Sequence, residues 1–265
     1  MRRWSRRMLL SGKTAVVTGG GRGIGSAVAR ALAEQGARVL VAARSQDQVA
    51  SVAAELVRAG FEAHAAACDV TREDSVGALQ EAASSALGHV DILVNNAGTA
   101  TSAPIKSTSL EDWNRVMAVN ATGPFLCTRA FIGGMAERRW GRVVNVASIT
   151  SRMGSPYIAA YTASKHAVLG FTRVAAAEYA GKGVSVNAVC PGYVDTEMTT
   201  ESVARVMART GMDRERALAA ILGTVNQKRL ISVDEVAFVV TSLCAEQAGG
   251  INGQAIVIDA GGLLS

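Results

Sequence analysis

Tyr161 and Lys165 stand four residues apart in the run Tyr161-Thr162-Ala163-Ser164-Lys165, inside a stretch whose apolar spacing predicts a helix. Residues at i and i+4 share a helical face, so the phenol and the ammonium are expected side by side. A tyrosine hydroxyl in isolation titrates at about 10, and an adjacent ammonium, by favouring the phenolate, lowers that value and makes a usable acid or base. Ser148 lies thirteen residues upstream, at the close of a predicted strand. Its hydroxyl can donate to a carbonyl oxygen that gains negative charge under hydride attack. A Tyr-x3-Lys alone is weak, since exposed helices produce it by chance, and Tyr157 nearby has no lysine four residues on. The weight comes from agreement with a second motif.

That motif is Thr18-Gly19-Gly20-Gly21-Arg22-Gly23-Ile24-Gly25, between a predicted strand and a predicted helix. Glycines there permit a tight turn and close backbone approach, and the free N–H groups at the helix start favour a pyrophosphate. The spacing is Gly-x3-Gly-x-Gly, unlike the commonest dinucleotide fingerprint, Gly-x-Gly-x2-Gly. At the end of the second predicted strand an acidic residue would select a ribose 2'-hydroxyl. The chain instead reads Val41-Ala42-Ala43-Arg44-Ser45. A guanidinium fork suits a 2'-phosphate, so Arg44 with Arg22 argues for NADP(H) over NAD(H); the alternative is that Arg44 is a solvated helix start.

The elements that must carry these residues alternate. Short apolar runs fall at 14–17, 39–42, 63–67, 92–94, 143–146, 184–189 and 255–258. Helical patterns separate them, including long ones at 112–135 and 157–179. Such repetition predicts a parallel sheet with helices on both faces, and strands apolar throughout are those buried on both sides. About 193–230 the rhythm breaks into helical pattern without a strand, which predicts a lid over the carboxyl edge of the sheet.

Composition narrows the rest. The 265 residues hold 27 Lys+Arg against 22 Asp+Glu, and Arg2, Arg3, Arg6 and Arg7 account for four of the net +5. The remaining cations are scattered, so there is no electrostatic case for nucleic acid. Cys68, Cys127, Cys190 and Cys244 are far apart and form no metal-ligand pattern with the three histidines, so they read as reduced, buried thiols and no metal is expected. No apolar run approaches the roughly 18 residues of a membrane span. Ser5-Arg6-Arg7 resembles a twin-arginine export signal, but no apolar stretch or cleavage site follows before Lys13. Residues 1–10 are therefore read as a disordered basic leader, 11–265 as a single domain, and the protein as cytoplasmic, with no membrane partner.

Taken together, the glycine turn, Cys68-Asp69-Val70, Asn95-Asn96-Ala97-Gly98, Val119-Asn120, Ser148, Tyr161 to Lys165, Pro191-Gly192 and Asn252-Gly253-Gln254 resemble the short-chain dehydrogenase/reductase family, from about Ser11 to Gly262. The resemblance implies an α/β single-domain Rossmann fold, a doubly wound seven-stranded parallel sheet with a helical substrate lid. It also implies roles. Tyr161 is the general acid in reduction, Lys165 holds the nicotinamide ribose, Ser148 polarises the substrate oxygen and Asn120 holds a water that begins a proton relay. Gly19, Gly21, Arg22, Gly23, Ile24, Gly25 and Arg44 would surround the phosphates. Asp69 and Val70 would face the adenine, Asn96, Ala97 and Gly98 would line the cofactor, and Pro191, Gly192, Val194 and Thr196 would close over the nicotinamide. Two positions have a second reading: Asn95 ties strands or touches ligand, and Asp69 faces the adenine or caps a turn.

Within the family the pattern is similar to 3-oxoacyl thioester reductases and polyketide ketoreductases, implying a ketone or secondary alcohol linked to CoA or acyl carrier protein (ACP). Free cyclic or aromatic ketones are the alternative, and a non-catalytic redox sensor the rival from another class. Arg138, Arg139 and Arg142 match one basic neighbourhood that grips an acidic carrier, but Ala177 occupies the other. Met198, Val203, Val206, Met207, Met212, Leu218, Ile221 and Leu222 give the lid an apolar set that either lines the substrate or packs helices. Thr150 and Ile158 stand where a hydroxybutyrate dehydrogenase would hold a carboxylate, which argues against a free 3-oxo acid. Family members assemble through two long helices and the last strand, so a homotetramer is expected, with Ile256-Val257-Ile258 and Leu263-Leu264 compatible.

Overall fold

Seven runs rich in valine, isoleucine, leucine and alanine become seven strands because a parallel sheet hides both faces. The computed structural model describes residues 8–263; the rest of the predicted leader, residues 1–7, and Leu264 of the apolar tail lie outside the described residues. In chain order the elements are β1 (Thr14–Thr18), α1 (Gly23–Glu34), β2 (Arg38–Ala43), α2 (Gln46–Arg58), β3 (Ala63–Ala67), α3 (Glu73–Leu87) and β4 (Ile92–Asn95). Then come α4 (Leu110–Met117), α5 (Gly123–Glu137), β5 (Gly141–Val146), α6 (Ala159–Tyr179) and β6 (Val184–Pro191). Last are α7 (Glu197–Thr210), α8 (Arg214–Ile221), α9 (Val233–Cys244) and β7 (Ala255–Ile258).

The strand order is β3-β2-β1-β4-β5-β6-β7, and every pairing is parallel. The chain winds outward from β1 in one direction and from β4 in the other, so the crossovers part between them and open a crevice at the carboxyl ends. One face is packed by Val28, Leu32, Val49, Leu56, Val236 and Val240 of α1, α2 and α9. The other is packed by Val76, Leu79, Leu126, Phe131, Met135 and Ala176 of α3, α5 and α6. The edge strands depart most from full burial, and β7 is half-buried at all four positions.

Two helices differ from expectation. The helix expected over 112–135 is interrupted by a π turn at Ala118–Thr122. Proline at 124 has no N–H to give the carbonyl four residues back, that of Asn120, so the α pattern cannot run through this point. The helix expected from Tyr157 begins at Ala159. Tyr157 itself has φ of 69°, outside any right-handed helix, and its carbonyl accepts from the Ala103 N–H at 2.8 Å. The lid is α7 and α8 with a short 3-10 turn, anchored at both ends where Val194 pairs with Ile231.

Candidate active site

The turn after β1 is built around backbone, not side chains. Gly19 has φ of +63°, and a Cβ there would sit 2.8 Å from the Ala97 Cα. At Gly25 a Cβ would stand 2.2 Å from the Gly19 carbonyl oxygen, so α1 can start this close to the turn only with glycine. Asn96 locks the turn to β4: its Nδ2 donates to the Thr18 and Gly19 carbonyls at 3.1 and 3.0 Å. Such a turn, with an extended Arg22 before α1, presents N–H groups toward the crevice and suits a pyrophosphate.

A cavity of about 550 Å³ runs from this turn to the phenol. At one end it is walled by Gly19, Gly21, Arg22, Gly23, Ile24 and Arg44, with Asp69 and Val70 beside them. Asn96, Ala97 and Gly98 form its floor, and Ser148, Tyr161 and Lys165 its far end. Pro191, Gly192, Val194 and Thr196 cover it from β6 and the start of the lid. Gly25 and Asn120 are not on the wall. Gly25 sits behind the turn, and Asn120 is fully buried behind Gly98. Both amide hydrogens of Asn120 are committed, to the Thr99 carbonyl at 2.9 Å and the Ser164 hydroxyl at 3.0 Å. Any contact it makes with water is therefore left to its oxygens.

The two open readings separate. Asn95 is structural: Nδ2 donates to Thr128 Oγ1 at 3.0 Å and Asn145 Oδ1 at 2.8 Å, and Asn145 donates on to Thr172. That buried chain ties α5, β4, β5 and α6 together. Asp69 caps the turn, its Oδ1 accepting from the Thr71 N–H and hydroxyl, and the residue also lines the cavity.

Electrostatics overturn one expectation. Burial raises the Tyr161 phenol above its ordinary value, only partly opposed by a hydrogen bond from Ser148. The ammonium expected to lower it is itself pushed down by burial, to about 8. Lys165 Nζ donates to the Val146 carbonyl at 2.8 Å and lies 5.6 Å from the centre of the Tyr161 ring. The shared helical face is there, but desolvation, which disfavours both charged forms, outweighs their attraction. Ser148 Oγ accepts from the Thr150 N–H at 3.2 Å, leaving its own hydrogen to donate.

The lid and the basic neighbourhood resolve as well. Of the apolar lid residues only Met198 reaches the cavity; Val203 and Leu222 are core. The lid contributes Glu197, Glu201 and Arg205 instead, which apolar periodicity could not flag. Glu197 pairs with Arg22 across the crevice. Arg142, one of the three arginines that match a carrier-gripping neighbourhood, is buried: Nη1 donates to the Gly141 carbonyl at 2.9 Å and the guanidinium stacks 4.5 Å from the Trp140 ring centre. Arg138 spends its Nη2 on the Val90 carbonyl. Residues on this strand point inward, whatever their charge. All four cysteines are free and buried, and no cluster of metal-ligating residues exists among the described residues. No helix among them is long and apolar enough to cross a membrane.

The family model described as short chain dehydrogenase matches residues 13–206. The chain belongs to that family. A 3-oxoacyl-[acyl-carrier-protein] reductase from Synechocystis sp. is 37% identical over 91% of this chain and 98% of its own length. A D-beta-hydroxybutyrate dehydrogenase from Rhizobium meliloti is 34% identical over 94% and 98%. Among solved structures, a variant of actinorhodin polyketide ketoreductase with NADPH has a TM-score of 0.91 at 37% identity, covering 94% of this chain and 96% of that one. This short-chain dehydrogenase is thus an oxidoreductase of hydroxyl and ketone groups, with the parallel sheet of its relatives.

Proposed function

We propose that this short-chain dehydrogenase is an NADP(H)-dependent ketone reductase, acting on a 3-oxoacyl thioester or a related neutral ketone with Tyr161 as general acid. The observation that carries the reading is the single cavity joining the glycine turn to Ser148, Tyr161 and Lys165. Arg22 and Arg44 at its outer end are the groups to hold a 2'-phosphate, and the crowding at Gly19 and Gly25 is what close approach of a pyrophosphate requires. The NADPH bound to the ketoreductase relative supports the same cofactor. Bound there, a reduced nicotinamide supplies the hydride.

Ser148 donates to the carbonyl oxygen as its charge grows, and Tyr161 hands its phenolic proton to the resulting alkoxide. A phenol raised by burial is protonated at neutral pH, which is the form that reduction consumes. Lys165, charged below about 8, stabilises the phenolate left behind. Asn120, tied to the Thr99 backbone in the loop after β4, steadies a water that returns the proton. The intact acid and its partners argue against a mere sensor, which has no use for an activated phenol.

Free ketones are the second reading, and the burial of Arg142 favours it over a carrier-borne thioester, because of the three arginines of that docking patch only Arg138 and Arg139 stay exposed. The exposed Phe125 and Val174 on α5 and α6, with the half-buried edge of β7, support assembly as a homotetramer; a sedimentation mass equal to the monomer would remove that claim. The deciding experiment follows oxidation of NADPH, and separately NADH, with acetoacetyl-CoA, an N-acetylcysteamine thioester, and cyclic and aromatic ketones. Thioester turnover with NADPH is expected. Turnover of free ketones alone makes the protein a carbonyl reductase, preference for NADH refutes the phosphate argument, and silence everywhere refutes catalysis. Tyr161→Phe should abolish turnover and leave cofactor affinity unchanged; retained turnover would place the acid elsewhere.

A further inference from the structure

Behind Ser148, on the side away from the cavity, lies a buried relay that the reaction itself does not use. Ser151 Oγ donates to the Ser148 carbonyl. Cys190 Sγ, on β6, is 3.4 Å from the same Ser151 oxygen. A carbonyl only accepts, so the Ser151 hydrogen is spent on Ser148 and the thiol must be the donor to Ser151. Burial raises the Cys190 thiol, which keeps that proton on sulfur, and the Ser148 N–H faces the same sulfur. Cys190 is fully buried and Ser151 nearly so. Neither touches the cavity.

The segment being held is short. Beyond the end of β5, Ser148 has an extended backbone and caps the single 3-10 turn Ile149–Ser151. Apart from the turn's own bonds, the Ser148 peptide is tied to the sheet by the Ala147 N–H to the Val189 carbonyl at 2.8 Å and by this relay. A hydroxyl on so short a turn keeps its aim only as well as its peptide plane is fixed, and a misplacement of about 1 Å costs roughly 100-fold in rate.

We propose that Ser151 and Cys190 are positioning residues that fix the peptide of Ser148, so that its hydroxyl meets the substrate oxygen. The inference rests on the role given to Ser148 above. The relay runs from the β6 thiol through the Ser151 hydroxyl to the Ser148 carbonyl, and it acts on kcat rather than on cofactor binding.

The test is a set of variants of the full chain with the best ketone from the substrate panel. Ser151→Ala is expected to lower kcat by about 10-fold to 100-fold with NADPH affinity unchanged. Cys190→Val, which keeps the size and loses the donor, is expected to lower it less, and Cys190→Ser, which keeps a donor, to restore it. The relay acts through Ser148, so in a Ser148→Ala background Ser151→Ala should add no further loss. Full kcat in both Ser151→Ala and Cys190→Val, or an undiminished further loss in the Ser148→Ala background, overturns the positioning role. If Ser148→Ala alone keeps full turnover, it is the reading of the active site that fails. The Cys190 pair carries the test should Ser151→Ala not fold, and equal kcat for Cys190→Val and Cys190→Ser then counts against the relay.

Discussion

Replacing Lys165 by methionine should make this enzyme inactive and more stable. The side chain is 4% exposed, and burial holds its ammonium down from the ordinary 10.5 to about 8. That interval corresponds to about 3 kcal/mol at roughly 1.4 kcal/mol per pH unit. Below about pH 8 both the folded and the unfolded chain carry the proton, so the folded state bears the whole penalty of a buried cation. Between about 8 and 10.5 only the unfolded chain still holds it, so wild-type stability rises with pH through that window. Methionine keeps the apolar stem and removes the charge. Against this, the Val146 carbonyl loses the donor it has at 2.8 Å, which costs about 1–2 kcal/mol. The net expectation at pH 7 is a gain of about 1–2 kcal/mol, falling by roughly 2 kcal/mol toward pH 10 so that the variant becomes the less stable protein there. Urea unfolding of both proteins at several pH values reads the difference directly. A stability gap that does not change between pH 7 and pH 10 would refute the reasoning, whatever its sign.

Three further outcomes follow from the same geometry. Reductive kcat/KM should be level below about pH 8 and fall above it as Lys165 loses its proton; a profile unbroken through pH 9 would show that the ammonium is not needed. Arg44→Ala should raise KM for NADPH by roughly tenfold while leaving NADH unchanged, and equal effects on the two cofactors would dismiss the 2'-phosphate contact. Gly25→Ala places a Cβ 2.2 Å from the Gly19 carbonyl, so α1 must shift away from the turn. Loss of cofactor binding in titration, with unfolding about 1–3 kcal/mol easier, is the expected result, and wild-type affinity would mean that the turn adapts.

The inner strands were legible because burial on both faces leaves a mostly apolar run even where it holds Asn145, Ser185 or Asn187, and the edge strands β3 and β7 stay largely apolar though only partly covered. The glycine turn was legible for a related reason: contacts at 2–3 Å from backbone exclude every side chain, and the exclusion is written as glycine. What escaped was anything set by depth or direction. Arg142 carries the same charge as its neighbours Arg138 and Arg139, yet its place in β5 turns it under Trp140. The π turn had a signal, Pro124 four residues after Asn120, that helical periodicity passes over. The lid's apolar set stayed open between lining and packing because periodicity marks which residues face a core, as Val203 and Leu222 do; it says nothing of Glu201 and Arg205 on the side that faces the crevice.

The pKa of Tyr161 shows why spacing alone misjudges chemistry. Four residues on a helix bring a phenol and an ammonium together, and in water the ammonium would win the phenol's proton equilibrium. At this depth the same burial works against both charges, raising one group and lowering the other. The pair therefore rests with its acid protonated and its cation close to release, two groups with nearly the same ordinary value that burial drives apart, the phenol upward and the ammonium down to about 8. Proton transfer from such a phenol needs charge to appear on a carbonyl oxygen close by, and in the proposed reaction the group that aims at that oxygen is Ser148. Its aim is set by a turn of three residues whose peptide is held from behind by Ser151 and Cys190. Acid strength in this site is thus a property of depth, and its use a property of a short turn's rigidity, neither of which appears in the identity of Tyr161 or Lys165.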